Sequence, residues 1–182
     1  MKFPTVENSA FVMIDMQQRL LPVMNNSQQV LERSVLLLNA AAALNADVLV
    51  TEQYPKGLGN TVPELCTWLS EKSPAIAKTS FSVFGSPEFC SALLERKREV
   101  LIFFGIEAHV CVLQSVLDAK DRGYEVIVVA DAVSSRKSAD CACALQMMRD
   151  QGIHLLNSES VLFMMLRDAA HPAFKAVSKL VK

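Results

Sequence analysis

The sequence predicts an α/β protein, a three-layer α/β/α sandwich around a six-stranded and mainly parallel sheet. Short apolar runs alternate with amphipathic stretches from end to end, which is typical of βαβ units. The run Glu-Val-Leu-Ile-Phe-Phe at 99–104 is almost continuously apolar, as expected of a parallel strand buried on both faces. With 182 residues and no linker or repeat, the chain is predicted to form a single domain over residues 1–182.

Six strands and seven helices follow from these patterns. The predicted strands, which are short apolar runs, span residues 10–15, 47–51, 75–78, 100–104, 126–130 and 153–157. The predicted helices, which have apolar residues at helical spacing, span 27–44, 61–69, 87–96, 109–122, 138–150 and 158–168, and a last one follows Pro172. Right-handed crossovers wound in both directions from the first strand predict the Rossmann-like strand order 3-2-1-4-5-6.

Three chemically reactive side chains follow neighbouring strands of this sheet. Asp15 ends the first strand, Lys78 ends the third, and Cys111 lies just past the fourth, where an apolar strand turns into a helix. The first and fourth strands are central neighbours about 4.8 Å apart, and a crevice opens at their carboxyl ends. The third strand is roughly 10 Å from the first, a gap that only a long side chain such as lysine can cross. We therefore expect the three side chains to meet in one crevice.

Each of these residues also has a structural explanation. A free cysteine usually packs as a small hydrophobic residue, and an aspartate at a strand end often caps a helix or a turn. Lys78 could be a solvated strand end. The coincidence of all three at adjacent carboxyl ends favours catalysis. Because a helix N-terminus favours the thiolate, we also expect Cys111 to be the fastest of the five cysteines to react with an alkylating reagent.

Three separated motifs resemble those of the isochorismatase-like cysteine hydrolases, a family that includes nicotinamidases. They are Phe-Val-Met-Ile-Asp-Met-Gln at 11–17, Lys78 with Phe-Ser-Val-Phe at 81–84, and Gly-Ile-Glu-Ala-His-Val-Cys-Val at 105–112. The segments at 123–126 and 131–136 also resemble the family, so the similarity runs from about residue 10 to about residue 157. The stretch 53–65 is similar to the isochorismatase-domain-containing subgroup.

The resemblance implies a catalytic triad of Asp15, Lys78 and Cys111. In this reading the Cys111 sulfur attacks an amide carbonyl and forms a thioester, Asp15 carries the proton, and Lys78 stabilises negative charge. The resemblance also implies a cis peptide bond between Ile106 and Glu107, and an oxyanion hole made by the backbone amides of Glu107 and Cys111. It disfavours isochorismate as the substrate, because the family's enzymes for that vinyl ether lack the cysteine.

Nicotinamidases hold a metal ion in a cluster of Asp and His after the second strand. The corresponding stretch here is Thr-Glu-Gln-Tyr-Pro at 51–55, with no histidine nearby, and His109, His154 and His171 are dispersed along the chain. We therefore predict no metal and no other cofactor. The missing cluster also argues against nicotinamide as the substrate.

Four further residues are candidates for a substrate pocket. Tyr54, Phe81 and Phe84 either wall a small apolar pocket beside the thiol or pack into the core. Gln17 either orients the site or hydrogen-bonds the loop that follows the first strand.

Composition excludes several classes of function. A net charge of −1 with scattered Lys and Arg disfavours nucleic-acid binding. No apolar stretch reaches the roughly 18 residues of a membrane span, and the N-terminus has no signal core. Five cysteines without framework spacing fit a reducing compartment, so we predict a cytoplasmic protein.

Two further expectations concern partners. Since 51% of residues are hydrophobic, including eight Met, we expect surplus apolar surface to be buried in a homo-oligomer, a dimer or higher. The predicted function is metal-independent hydrolysis of an amide-type C–N bond in a small molecule. The alternative is a scaffold or partner-binding protein that keeps the triad without turnover.

Overall fold

The computed structural model describes residues 1–69 and 74–182. Six strands form one sheet in the order β3-β2-β1-β4-β5-β6, and every neighbouring pair is parallel. The strands are β1 (Ser9–Ile14), β2 (Asp47–Gln53), β3 (Ala75–Lys78), β4 (Val100–Ile106), β5 (Glu125–Ser134) and β6 (His154–Leu156). The predicted fold class and strand order are therefore confirmed.

Helices cover both faces of this sheet. They are α1 (Ser27–Leu44), α2 (Pro55–Leu58), α3 (Pro63–Cys66), α4 (Pro87–Arg96), α5 (Leu113–Asp121), α6 (Ser138–Asp150), α7 (Ser158–Leu166) and α8 (Phe174–Leu180). Two short 3-10 turns, Leu21–Val23 and Val83–Gly85, and a π-helical turn, Ala108–Val112, complete the elements. Among the described residues, no helix combines the length and apolar content needed to cross a bilayer.

Three helices differ from their predicted bounds. The one predicted over 158–168 ends at Leu166, and the other two differ for local reasons. The helix predicted over 61–69 begins only at Pro63, because the amide and hydroxyl of Thr61 both donate to the Glu52 carboxylate at 2.6 and 2.8 Å. The helix predicted over 109–122 is divided. Its first turn widens into the π-helical turn, where the amides of Val110 and Val112 both donate to the Glu107 carbonyl.

Two hydrophobic clusters, one on each face, hold the three layers together. In β1 the buried side chains alternate between them: Phe11 and Met13 join the cluster that includes α1, α7 and α8, while Val12 and Ile14 join the one that includes α4, α5 and α6. This alternation across a strand that is buried along its whole length confirms the sandwich.

β5 is longer than the predicted 126–130, because it pairs with β4 beyond an irregularity. The register shifts between Phe103 and Gly105, after which Gly105 pairs with Val133 and Ile106 with Ser134. The carboxyl end of β5 therefore reaches the end of β4, next to the segment that carries Cys111.

Gly105 is required where β1 and β4 approach each other. Its φ of +112° is unfavourable for any residue with a side chain, and a Cβ there would lie 2.2 Å from the Ile14 carbonyl oxygen. Gly123 has a similar φ of +85°, but a Cβ there would meet nothing within 4 Å.

We expect Gly105→Ala to destabilise the fold far more than Gly123→Ala. The second change adds only backbone strain, about 1–2 kcal/mol, whereas the first must also separate two central strands and should cost more than about 4 kcal/mol. Urea unfolding of both variants measures the difference. Equal losses would contradict the close contact between Gly105 and Ile14.

Candidate active site

Asp15 lies at the carboxyl end of β1 in a left-handed backbone conformation, with φ of 52°. Such a conformation is uncommon for a residue with a side chain, although aspartate adopts it more readily than most, and strained residues of this kind cluster at functional sites. The side chain is fully buried, and the Thr51 hydroxyl donates to its Oδ1 at 2.7 Å. The Asp15 amide in turn donates to the Thr51 carbonyl at 3.1 Å, which fixes the turn against β2.

Lys78 ends β3 and reaches across β2 to Asp15. Its Nζ donates to Asp15 Oδ2 at 2.8 Å and to Gln53 Oε1 at 2.7 Å. The carbonyl oxygens of Ser80 and Phe81 accept from the same ammonium at 3.2 Å each. Both side chains of the ion pair are fully buried. Because buried charges need partners, this arrangement provides the ammonium with compensating acceptors.

Cys111 lies in the π-helical turn that leads into α5, and only 6% of the residue is exposed. Asp15 and Lys78 lie close enough to its thiol to shift the thiol pKa in opposite directions. Burial and the negative charge of Asp15 raise the pKa of the thiol to about 12, and the positive charge of Lys78 only partly opposes them. The expectation that the helix N-terminus makes the thiolate the favoured form is therefore wrong for the resting site, because desolvation and the carboxylate dominate.

The three side chains thus form one buried cluster at the carboxyl ends of β1, β3 and β4. A thiol that donates to a carboxylate can lose its proton at the moment when the sulfur attacks, even though the free thiolate is disfavoured. An ammonium in the same cluster can stabilise the negative charge that develops.

The segment between β4 and Cys111 contains a cis peptide bond at Ile106–Glu107. The Glu107 carbonyl accepts hydrogen bonds from the amides of Val110 and Val112, at 3.1 and 3.2 Å. These bonds close the turn that carries the amides of Glu107 and Cys111, the pair that the family resemblance implies as an oxyanion hole.

Gln17 hydrogen-bonds the loop that follows β2, and Tyr54 lies at the start of that loop. The carboxamide of Gln17 is fully buried; its nitrogen donates to the carbonyls of Gln53 and Gly59, and its oxygen accepts from the Gln53 amide. Tyr54 is 54% exposed and lines a cavity of about 390 Å³ beside Lys78. Because the Lys78 side chain is fully buried, the backbone of this residue faces the cavity and its ammonium does not.

The two candidate phenylalanines lie in different environments. The Phe81 ring is 53% exposed, although the Phe81 carbonyl accepts from Lys78. The Phe84 ring is in the core, where it packs on Phe89 and Tyr124 with ring centroids 5.6 and 6.0 Å apart. Of the two readings for Phe84, packing into the core is the one that the structure shows.

Sequence reasoning missed two residues that complete the cluster, Thr51 and Gln53. Thr51 is in register with Ile14, the residue before Asp15, and Gln53 is in register with Lys78. β2 lies between the strands that carry the two charged residues. The polar side chains at the carboxyl end of β2 could therefore have been recognised from the sequence as neighbours of Asp15 and Lys78.

The described residues, 1–69 and 74–182, contain no group of three or more His, Cys, Asp or Glu side chains that could hold a metal ion. The histidines stay apart and have separate partners. His109 Nδ1 lies 2.9 Å from Ser135 Oγ, His154 Nε2 lies 2.6 Å from Glu125 Oε1, and His171 Nδ1 accepts from the Ala173 amide at 3.1 Å.

The sequence and the fold of this chain are similar to those of known proteins. The isochorismatase domain matches residues 9–160. Isochorismatase domain-containing protein 2 of Danio rerio is 38% identical over 177 residues, which are 97% of this chain and 88% of that protein. The structure of MAR1 ribonuclease from Caenorhabditis elegans is 39% identical, with a TM-score of 0.93 over 99% of this chain and 92% of that one. YcaC from Pseudomonas aeruginosa, with hexane-2,5-diol and covalent acrylamide, is 25% identical, with a TM-score of 0.92 over 98% and 91% of the two chains.

Proposed function

We propose that this chain, which belongs to the isochorismatase family, is a cysteine hydrolase that cleaves an amide-type C–N bond in a small molecule. Family membership supports the hydrolase scaffold. The observation that carries the finer proposal is the buried contact of the Cys111 thiol with the Asp15 carboxylate and the Lys78 ammonium. The proton acceptor and the compensating cation are hydrogen-bonded to each other, and both act on the nucleophile, which supports covalent catalysis.

In the first half-reaction the Cys111 sulfur forms a bond to the carbonyl carbon while its proton passes to Asp15. The negative charge moves to the carbonyl oxygen, where the amides of Glu107 and Cys111 stabilise it. When this intermediate collapses, the C–N bond breaks and Asp15 gives the proton to the leaving amine. The product that remains is a thioester on Cys111.

In the second half-reaction a water attacks the thioester carbon and gives a proton to Asp15. The C–S bond breaks, the acid leaves, and Asp15 returns a proton to the sulfur. Lys78, which donates to Asp15 and Gln53, takes no part in the proton transfers of either half-reaction. No step uses a metal or another cofactor, and the residues at 51–55 offer no histidine for one.

The remaining proposals concern assembly and location. Large apolar side chains are exposed on the single chain, among them Leu94 at 69% and Val23 at 56%. They support a homo-oligomer, a dimer or higher, in which part of this surface is covered. The composition supports a cytoplasmic location and a small-molecule substrate in place of nucleic acid.

A panel of small amides and carbamates tests the proposed activity. We expect the wild type to release an amine or ammonia together with an acid from at least one compound. Cys111→Ala should lower that rate by at least about 10³, because the residue that forms the covalent bond is gone. The matched control Cys143→Ala, at an exposed cysteine outside the cluster, should keep it.

The same panel also tests two rival functions, a nuclease and a non-catalytic scaffold. A single-stranded RNA is included because one relative is described as a ribonuclease. RNA cleavage that Cys111→Ala abolishes, without turnover of any amide, would replace amide hydrolysis with a nuclease activity. Amide turnover that survives Cys111→Ala would refute the covalent mechanism, and no turnover of any compound would favour the scaffold.

A further inference from the structure

The loop that follows β5 forms hydrogen bonds with two residues of the segment between Glu107 and Cys111. The amide and Nε of Arg136 both donate to Glu107 Oε2, at 3.2 and 3.0 Å. One residue earlier, Ser135 Oγ lies 2.9 Å from Nδ1 of His109. The loop itself is anchored, because the Ser135 carbonyl accepts from the Asn25 amide at 3.0 Å. The segment that carries both proposed oxyanion amides is therefore held from outside as well as by its own turn.

The charge of Glu107 makes the Arg136 contact important for catalysis. The Glu107 amide is proposed to stabilise a developing oxyanion, yet the same residue carries a carboxylate, whose negative charge opposes that stabilisation. Only 12% of this side chain is exposed, so water screens its charge poorly. The Arg136 guanidinium, which is itself 61% exposed, compensates the charge through its Nε hydrogen bond to the carboxylate, and the Arg136 backbone amide donates a second bond to the same oxygen.

We propose that Arg136 is a positioning residue for the oxyanion hole: it orients Glu107 and neutralises its carboxylate, and thereby directs the Glu107 amide toward the carbonyl oxygen of the substrate. This inference rests on the proposed cysteine hydrolase activity. Arg136 acts through Glu107 and need not touch the substrate. Its effect should therefore appear with any carbonyl compound that acylates Cys111, including compounds without a charged group.

Two reagents that attack the same sulfur separate this role from a general effect on the thiol. Acetylation by 4-nitrophenyl acetate forms an S–C bond, passes through a tetrahedral oxyanion and expels 4-nitrophenolate, while the thiol proton passes to Asp15. Alkylation by iodoacetamide forms an S–C bond by direct displacement of iodide, while the thiol proton passes to Asp15 or to water, and no charge develops on a carbonyl oxygen. The ratio of the two rates at Cys111 therefore reports on oxyanion stabilisation, whereas thiol pKa and access affect both rates. Both reagents are neutral, so neither offers a charge for the guanidinium to bind.

We expect Arg136→Gln to slow acetylation of Cys111 roughly tenfold or more and to leave alkylation nearly unchanged. The loss is smaller than that caused by deleting an oxyanion donor, because the Glu107 amide itself remains. Arg136→Lys keeps the charge and should recover part of the rate. In a Glu107→Gln background, where there is no carboxylate to neutralise, Arg136→Gln should have a smaller effect on the acetylation rate.

The matched control is Arg98→Gln. It breaks an ion pair with Asp47 at 2.7 Å, at the opposite, amino end of the strands, and should change neither rate. Cys111→Ala provides the blank for acetylation at other residues.

The proposal is overturned if Arg136→Gln leaves the ratio of rates unchanged, or lowers both rates equally. It is also overturned if the loss is the same with Glu107 and with Gln at position 107. Failure of the proposed function looks different: wild-type Cys111 then reacts with iodoacetamide but gains no acetyl group, and the role of Arg136 falls with it.

Discussion

Replacing Asp15 by Asn is expected to abolish turnover and at the same time to make Cys111 easier to alkylate. Turnover should fall by about 10³ or more, because no group remains to take the thiol proton and return it to the leaving amine. Burial and the Asp15 charge together raise the pKa of the thiol to about 12, so removing the charge lowers that pKa and makes the thiol more reactive. Each unit by which the pKa falls gives about ten times more thiolate at a pH below it.

The pH dependence of iodoacetamide labelling measures this change. In the wild type the rate at Cys111 should keep rising with pH until it approaches the raised pKa of about 12. In Asp15→Asn the rise should level off at lower pH. Peptide mapping assigns the label to Cys111, and thermal unfolding shows that the variant is folded. Slower or unchanged labelling of Cys111 in a folded Asp15→Asn variant would contradict the contact between carboxylate and thiol.

Replacing Lys78 by Met is expected to change the thiol in the opposite direction and to destabilise the fold. The Lys78 charge lowers the pKa of Cys111, so its removal raises that pKa further and slows alkylation. Turnover should fall by at least about 10², because the charge that develops during attack loses its compensation. Without the ammonium, the fully buried Asp15 carboxylate loses its partner, which should cost about 3–5 kcal/mol of unfolding free energy.

The double variant Asp15→Asn with Lys78→Met is the matched control for stability. It removes both charges, so no uncompensated charge remains in the core, and it should be more stable than Lys78→Met alone. Urea unfolding measures this recovery, and iodoacetamide labelling measures the thiol. Faster labelling in Lys78→Met, or a double variant as unstable as the single one, would contradict the buried ion pair.

The strand order could be predicted because it depends on local patterns and on chirality. Each apolar run is bounded by polar residues, and right-handed crossovers allow few ways of arranging six such strands. The ends of elements were less predictable. β5 continues to Ser134 only because it pairs with β4 beyond the shift at Gly105, a tertiary contact that no local pattern reveals.

The positions of Asp15, Lys78 and Cys111 could be predicted because each follows a strand that ends at the same edge of the sheet. The pKa of the Cys111 thiol could not be predicted from the sequence. The helix N-terminus suggested a favoured thiolate, but the pKa is governed by burial and by the charge of Asp15, which lies 96 positions earlier. The contacts of Thr51 and Gln53 were missed for a similar reason, since they depend on the register of β2 with its neighbours.

Rapid-quench mass spectrometry during turnover of an amide substrate tests the covalent role of Cys111 most directly. We expect the peptide that contains Cys111 to gain the mass of the acyl group within the first turnover and to lose it as the acid appears. Hydroxylamine should intercept the same species as a hydroxamate. A thiol at Cys111 that stays unmodified throughout rapid turnover would contradict the thioester mechanism.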